Sequence, residues 1–166
     1  MTVIAGYRAR GGAWIGHDSA CTAGDLVTLV SGKVRHMPGY SVGVSGDATM
    51  LGVLAVAKLG TGELANYADV LKKVAAPLTE AADDDADWLA LAVSPHGLWY
   101  VGQSSAMEVA EAYAAVGSGA ELTLAALDAL QSTGPKAALD RALAIACGRS
   151  SSCSEPIYVT RVGTVK

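Results

Sequence analysis

The 166-residue chain contains no phenylalanine, and charge of either sign is scarce, with 12 Lys and Arg against 16 Asp and Glu. The basic residues are few and scattered, so the chain lacks the basic patch that nucleic-acid binding requires. About half of the residues (51%) are hydrophobic, yet no run of eighteen apolar residues occurs, which excludes a membrane-spanning helix. A signal-peptide pattern is also missing. The apolar stretch after Met1 is short and ends at Arg8 and Arg10, so a cytoplasmic location is expected. Cysteine is limited to Cys21, Cys147 and Cys153, an odd number without metal-ligand spacing, and these are read as reduced thiols. What the chain has in quantity is glycine, 19 residues, which fits closely packed elements and many turns. The length fits one domain over residues 1–166.

Along the chain, residues 3–10 read as a strand, Gly11-Gly12 as a hairpin turn and residues 13–17 as the returning strand. Short strands are expected over 26–31, 33–37 and 40–45, with Pro38-Gly39 as a turn. From Asp47 the stretch ATMLGVLAVAKL is apolar on nearly all sides and predicts a helix buried on both faces. Leu64, Tyr67, Leu71, Val74 and Leu78 share one stripe of a second helix, which Pro77 is expected to kink or end. Asp83-Asp84-Asp85 reads as a solvated turn. Strands follow over 88–93, 98–101, 107–109 and 113–116, then helices from Ala120 and from Pro135 to near Gly148, and a last strand over 155–162. Paired helices between runs of antiparallel strands predict an α+β fold, a four-layer αββα sandwich.

The candidate chemistry begins at Thr2. If Met1 is removed, Thr2 holds both a hydroxyl nucleophile and a free α-amine that can serve as its base. The bland alternative is that many chains begin Met-Thr without catalytic purpose. The hairpin brings Asp18, at the end of the second strand, back beside Thr2. Lys33 would lower the pKa of the hydroxyl and of the amine, with Asp18 holding the lysine charged, unless the two form only a surface salt bridge. Gly43 could offer an unobstructed N–H to a developing oxyanion. Gly117-Ser118-Gly119 could place a hydroxyl near a terminal amine, or be only a turn.

Taken together, Thr2-Val3-Ile4, Gly16 to Thr22, Gly32-Lys33-Val34-Arg35, Gly43 to Ala48 and Val116 to Gly119 resemble the proteasome β-subunit family, most closely its bacterial HslV branch. The element order matches over essentially the whole chain. The resemblance implies that Thr2 is the nucleophile, exposed by loss of Met1 alone. It implies that Lys33 tunes it, Asp18 partners Lys33, the Gly43 N–H binds the oxyanion and Ser118 relays protons near the Thr2 amine. Thr22 would hold an extended substrate backbone, and Cys21, Ser41 and Ser45 would shape the pocket for the side chain before the cut. One departure is the loop Gly148 to Ser154, where a supporting aspartate of other family members is missing and Ser150 stands near its place. In the HslV branch this loop can bind a cation through backbone oxygens, which leaves a monovalent ion near 148–154 open; no other cofactor or metal is implied.

The resemblance further implies a homo-oligomer of stacked six- or seven-membered rings, fed with peptide or unfolded protein by an ATP-dependent unfoldase. Two other readings stand beside this threonine peptidase. One is an amidase of the same fold acting on a small amide. The other is a catalytically silent, Met1-capped scaffold subunit of a ring.

Overall fold

The computed structural model describes residues 2–23 and 26–163; for 22, 23, 26 and 27 it describes the backbone alone. Its first element is a hairpin, β1 (Ile4–Ala9) and β2 (Gly12–His17). The pair Ala9–Gly12 closes a two-residue turn at Arg10-Gly11, with Gly11 at φ +97°. The turn lies one residue earlier than expected because Gly12 already pairs in the ladder. β1 and β2 are the inner strands of a four-stranded sheet in the order β10-β1-β2-β11, where β10 is Tyr113–Val116 and β11 is Tyr158–Arg161.

The second sheet runs β5-β6-β7-β8-β9, all neighbours antiparallel. Its strands are Val34–Met37, Tyr40–Gly46, Trp88–Val93, Leu98–Gly102 and Ser105–Glu108. A separate ribbon pairs β3 (Ala20–Ala23) with β4 (Leu26–Leu29). β3 escapes the sequence reading because its four residues carry no alternation of polar and apolar side chains.

Three apolar clusters define the layers. Ile4, Ile15, Leu91, Val93, Leu98 and Val116 fill the seam between the sheets. Helices α4 (Ala120–Leu130) and α5 (Pro135–Arg149) cover the first sheet through Leu127, Leu139 and Leu143 against Val3, Ala5 and Tyr7. Helices α1 (Thr49–Val56), α2 (Tyr67–Val70) and α3 (Ala76–Ala81) cover the second through Met50, Leu54, Val70 and Leu78. This is the expected four-layer αββα sandwich.

Two helix expectations change. α1 is shorter than its apolar run, since Ala57 turns extended, and it buries only Met50 and Leu54 while Val56 stays 73% exposed. It lies on an outer layer, so one face has no protein to meet. Pro77 does not end the second helix, which runs on to Ala81. A π-helical turn, Leu71–Ala75, joins α2 to α3 just before the proline. Pro77 has no N–H for the Lys73 carbonyl, and the Gly60 N–H takes that carbonyl instead at 2.9 Å. Among the described residues no helix is long and apolar enough to cross a membrane.

Candidate active site

The β1–β2 ladder continues one step past its last strand pair. The Asp18 N–H donates to the Val3 carbonyl (3.2 Å), and the Val3 N–H donates to Asp18 Oδ1 (2.9 Å). This sets Asp18 beside Thr2. Asp18 is fully buried and accepts from five donors. Thr2 Oγ1 (3.1 Å), the Val3 N–H and Lys33 Nζ (2.6 Å) share Oδ1. The N–H groups of Ala20 (3.0 Å) and Ser154 (3.1 Å) share Oδ2.

Lys33 comes from the other sheet, immediately before β5. It is 1% exposed, and Nζ donates to Thr2 Oγ1, Asp18 Oδ1 and the Ala20 carbonyl. Three acceptors use all three protons of an ammonium. Burial pulls the Lys33 pKa below the ordinary lysine value, and the Asp18 hydrogen bond opposes that shift.

The third contribution comes from the loop after β10. Gly117 has φ +97°, and a Cβ there would stand 2.4 Å from the Thr2 carbonyl oxygen, so only glycine admits this approach. Ser118 Oγ then accepts from the Thr2 N–H (3.2 Å) and donates to the Thr2 carbonyl (3.3 Å), which the Gly119 N–H also reaches (3.3 Å).

Thr2 and Lys33 open onto a cleft with about 280 Å³ of empty space, its mouth included. Ala20, Cys21, Val44 and Ser45 line it, together with Gly46, Asp47, Ala48 and Leu51 where β6 passes into α1. Cys21 and Ser45 thus line the cleft that holds Thr2. Ser41 does not. It lies four residues from Ser45 along β6, buried, with Oγ 2.8 Å from His36 Nδ1. Met1 and the side chain of Thr22 lie outside the described residues.

Gly43 is not at the cleft either. The Val44 N–H bonds to the Lys33 carbonyl (3.2 Å), and strand alternation then turns the Gly43 N–H toward β7, opposite Leu91. Its open Cβ direction meets Ile4 Cγ2 at 2.8 Å. The glycine serves the close approach of the two sheets. By the same alternation the Gly46 N–H faces the open side, beyond the start of β5 at Val34. The N-terminus of α1 begins next to it with no side-chain cap at Ala48.

The Gly148 to Ser154 loop is tied to the centre by backbone. Besides the Ser154 N–H on Asp18, the Ser154 carbonyl accepts from the Ser19 N–H at 2.9 Å. Within the loop the Ser150 carbonyl accepts from the Cys153 N–H at 3.3 Å, and the Ser150 and Ser152 hydroxyls lie 2.5 Å apart. Among the described residues no group of three or more His, Cys, Asp or Glu is placed to hold a metal ion.

The sequence matches no family model and no curated protein. Solved structures do match. BPH of Thiobacillus denitrificans in complex with epoxomicin superposes with a TM-score of 0.80 at 20% identity, covering 97% of this chain and 98% of that one. HslV of Trypanosoma brucei superposes with a TM-score of 0.73 at 19% identity, covering 97% and 99%. The chain has the proteasome-like N-terminal-nucleophile hydrolase fold. Within that fold the centre straddles the seam. The first sheet brings Thr2, Asp18 and Ser118, and the second brings Lys33 and the Gly46 turn.

Sequence reasoning missed Gly46, Asp47 and Ser154. Gly46-Asp47 directly before an apolar helix was the available signal for the first two. Ser154 contributes through its N–H, which any residue except proline carries, so its side chain gave none.

Proposed function

We propose that this chain is a threonine peptidase subunit whose nucleophile is Thr2 Oγ, active once Met1 is removed. The observation that carries this reading is the buried contact of Thr2 Oγ1 with both Lys33 Nζ and Asp18, at the floor of an open cleft. A surface salt bridge would not bury a lysine to 1% exposure against a hydroxyl.

The steps follow from the geometry. The Thr2 α-amine, free after loss of Met1, takes the Oγ proton as Oγ bonds to the peptide carbonyl carbon. The Lys33 ammonium stabilises the developing alkoxide, and Asp18 keeps that ammonium charged in a buried site. The tetrahedral oxyanion is met by the Gly46 N–H and the uncapped N-terminus of α1. This role falls to Gly46, because the Gly43 N–H faces β7. Breaking the C–N bond returns the proton from the Thr2 ammonium to the leaving amine and leaves an ester on Oγ. Water then attacks the ester, with the same amine as base. Ser118, hydrogen-bonded to the Thr2 nitrogen, steers the proton. Cys21 and Ser45 shape the cleft, and Thr22 is assigned the substrate backbone.

The fold supports assembly into stacked homo-oligomeric rings of six or seven subunits in the cytoplasm, served by an ATP-dependent unfoldase. The deciding experiment treats Met1-free protein, verified by intact mass, with epoxomicin, the compound named in the Thiobacillus complex. One adduct on Thr2 and turnover of fluorogenic peptides are expected, and both vanish in T2A while the assembly keeps its size. Hydrolysis that persists in T2A overturns the role of Thr2. Quantitative retention of Met1 in the native host favours a silent scaffold instead.

A further inference from the structure

Ser19 directly follows the buried carboxylate of Asp18 and is itself 1% exposed, yet the chemistry of Thr2 gives it no part. It does not line the cleft. Its polar groups are all bonded elsewhere. The carbonyl accepts from the Val30 N–H at 2.8 Å, the N–H donates to the Ser154 carbonyl at 2.9 Å, and the hydroxyl donates to the Pro156 carbonyl.

The last two bonds continue a ladder that the backbone alone does not. β11 pairs with β2 as far as Tyr158 opposite His17. There β2 ends, and the chain enters β3 two residues later, at Ala20. Ser19 bridges the gap with a side chain. Its Oγ holds residue 156 and its N–H holds residue 154, so that 154, 156 and 158 each meet the stretch 17–19.

What this clasp fixes is the Ser154 N–H, which donates to Asp18 Oδ2 at 3.1 Å. Thr2 Oγ1, the Val3 N–H and Lys33 Nζ all share the other oxygen, Oδ1. A carboxylate held at one oxygen can pivot about it, so the donors on Oδ2 set its plane. One of them, the Ala20 N–H, lies two residues along the same chain and moves with Asp18. Only the Ser154 N–H reaches Oδ2 from a distant part of the sequence. A charge-assisted bond of this kind keeps its strength only while donor and acceptor stay aligned.

We infer that Ser19 is a positioning residue for the Thr2 centre, its hydroxyl holding the 154–156 segment so that the Ser154 N–H orients Asp18 toward Lys33 and Thr2; this rests on the peptidase reading above. The test compares wild type, S19A and S19T as Met1-free proteins on one fluorogenic peptide. Epoxomicin adducts counted by intact mass give the number of reactive Thr2 residues, so that kcat is expressed per site. S19A should lower kcat per site by roughly tenfold, the rate equivalent of one hydrogen bond to a charged group. KM should not move, because Ser19 does not touch the cleft. S19T keeps the hydroxyl and should recover most of the loss. A hydroxyl that only held the fold together would reduce the count of reactive sites and leave kcat per site unchanged, and that result overturns the inference. A change confined to KM, or a loss that S19T does not recover, overturns it too. Wild type that turns over peptide no faster than S19A sinks the inference alone; wild type with no adduct and no hydrolysis sinks the peptidase reading with it.

Discussion

The seam between the two sheets has a dry interior and a polar end, two residues apart in the chain. Ile4, fully buried, packs among Leu91, Val93, Leu98 and Val116 with no polar partner to satisfy. Thr2, 7% exposed, sits among Asp18, Lys33 and Ser118, and each polar group there is bonded to another. The interior holds the sheets together by burial alone, which has no directional preference. At the polar end an ammonium and a carboxylate are withdrawn from water, which is stabilising only while every partner is present. The interior sets the register, and the polar end uses it.

The largest effect should come from unbalancing the polar end. D18A leaves the Lys33 ammonium buried without its counter-charge and should destabilise the fold by about 3–5 kcal/mol, besides removing peptide hydrolysis. Urea unfolding measures it. Making the polar end resemble the interior is the sharper variant. D18N/K33M removes both charges and should recover much of that loss while activity stays absent. If the double variant is no more stable than D18A, the buried charge is not what makes D18A costly.

The converse change crowds the dry interior. G43A places a methyl 2.8 Å from Ile4 Cγ2 and 3.0 Å from Val34 Cγ2, and overpacking of this kind costs about 1–3 kcal/mol. I4A should relieve part of it, so the two substitutions are non-additive in a double-mutant cycle. Additive losses would place the cost of G43A in the backbone of β6 and not in the seam.

Gly43 also shows where sequence reading stops. The spacing of Thr2, Asp18 and Lys33 was legible because a two-residue hairpin leaves Asp18 one place to go, and the polar-apolar alternation after Lys33 marks β5. The four layers were legible from the order of strand and helix signals. Which glycine aims its N–H at the cleft was not. That depends on ladder parity, set by the Val44 bond to the Lys33 carbonyl, and a one-residue change inverts it. Ser41 failed for a related reason. It shares a strand face with Ser45, but the cleft ends before reaching it. β3 and the Ser154 N–H act through backbone, where side-chain identity carries no message.

The smallest effect lies at the border between the two regions. His17 pairs with Ile4 across the hairpin, and its Nδ1 lies 2.7 Å from the Asp18 carbonyl oxygen. His36, on β5, has its Nδ1 2.8 Å from Ser41 Oγ. Burial pushes both imidazoles below the ordinary histidine value of 6.5, and for His17 the hydrogen bond to the Asp18 carbonyl opposes the shift. As pH falls from 6.5 toward those lowered values, the unfolded chain takes up protons that the folded chain refuses, so stability falls with pH there and is regained as pH rises. The slope for one such proton is at most about 1.4 kcal/mol per pH unit. Urea titrations between pH 5 and 7 should show stability rising with pH, and H17Q should flatten part of the rise, since glutamine does not titrate. A wild-type profile flat across that interval would mean that the rings carry their protons in the fold, and that the border of the dry seam is wetter than its burial suggests.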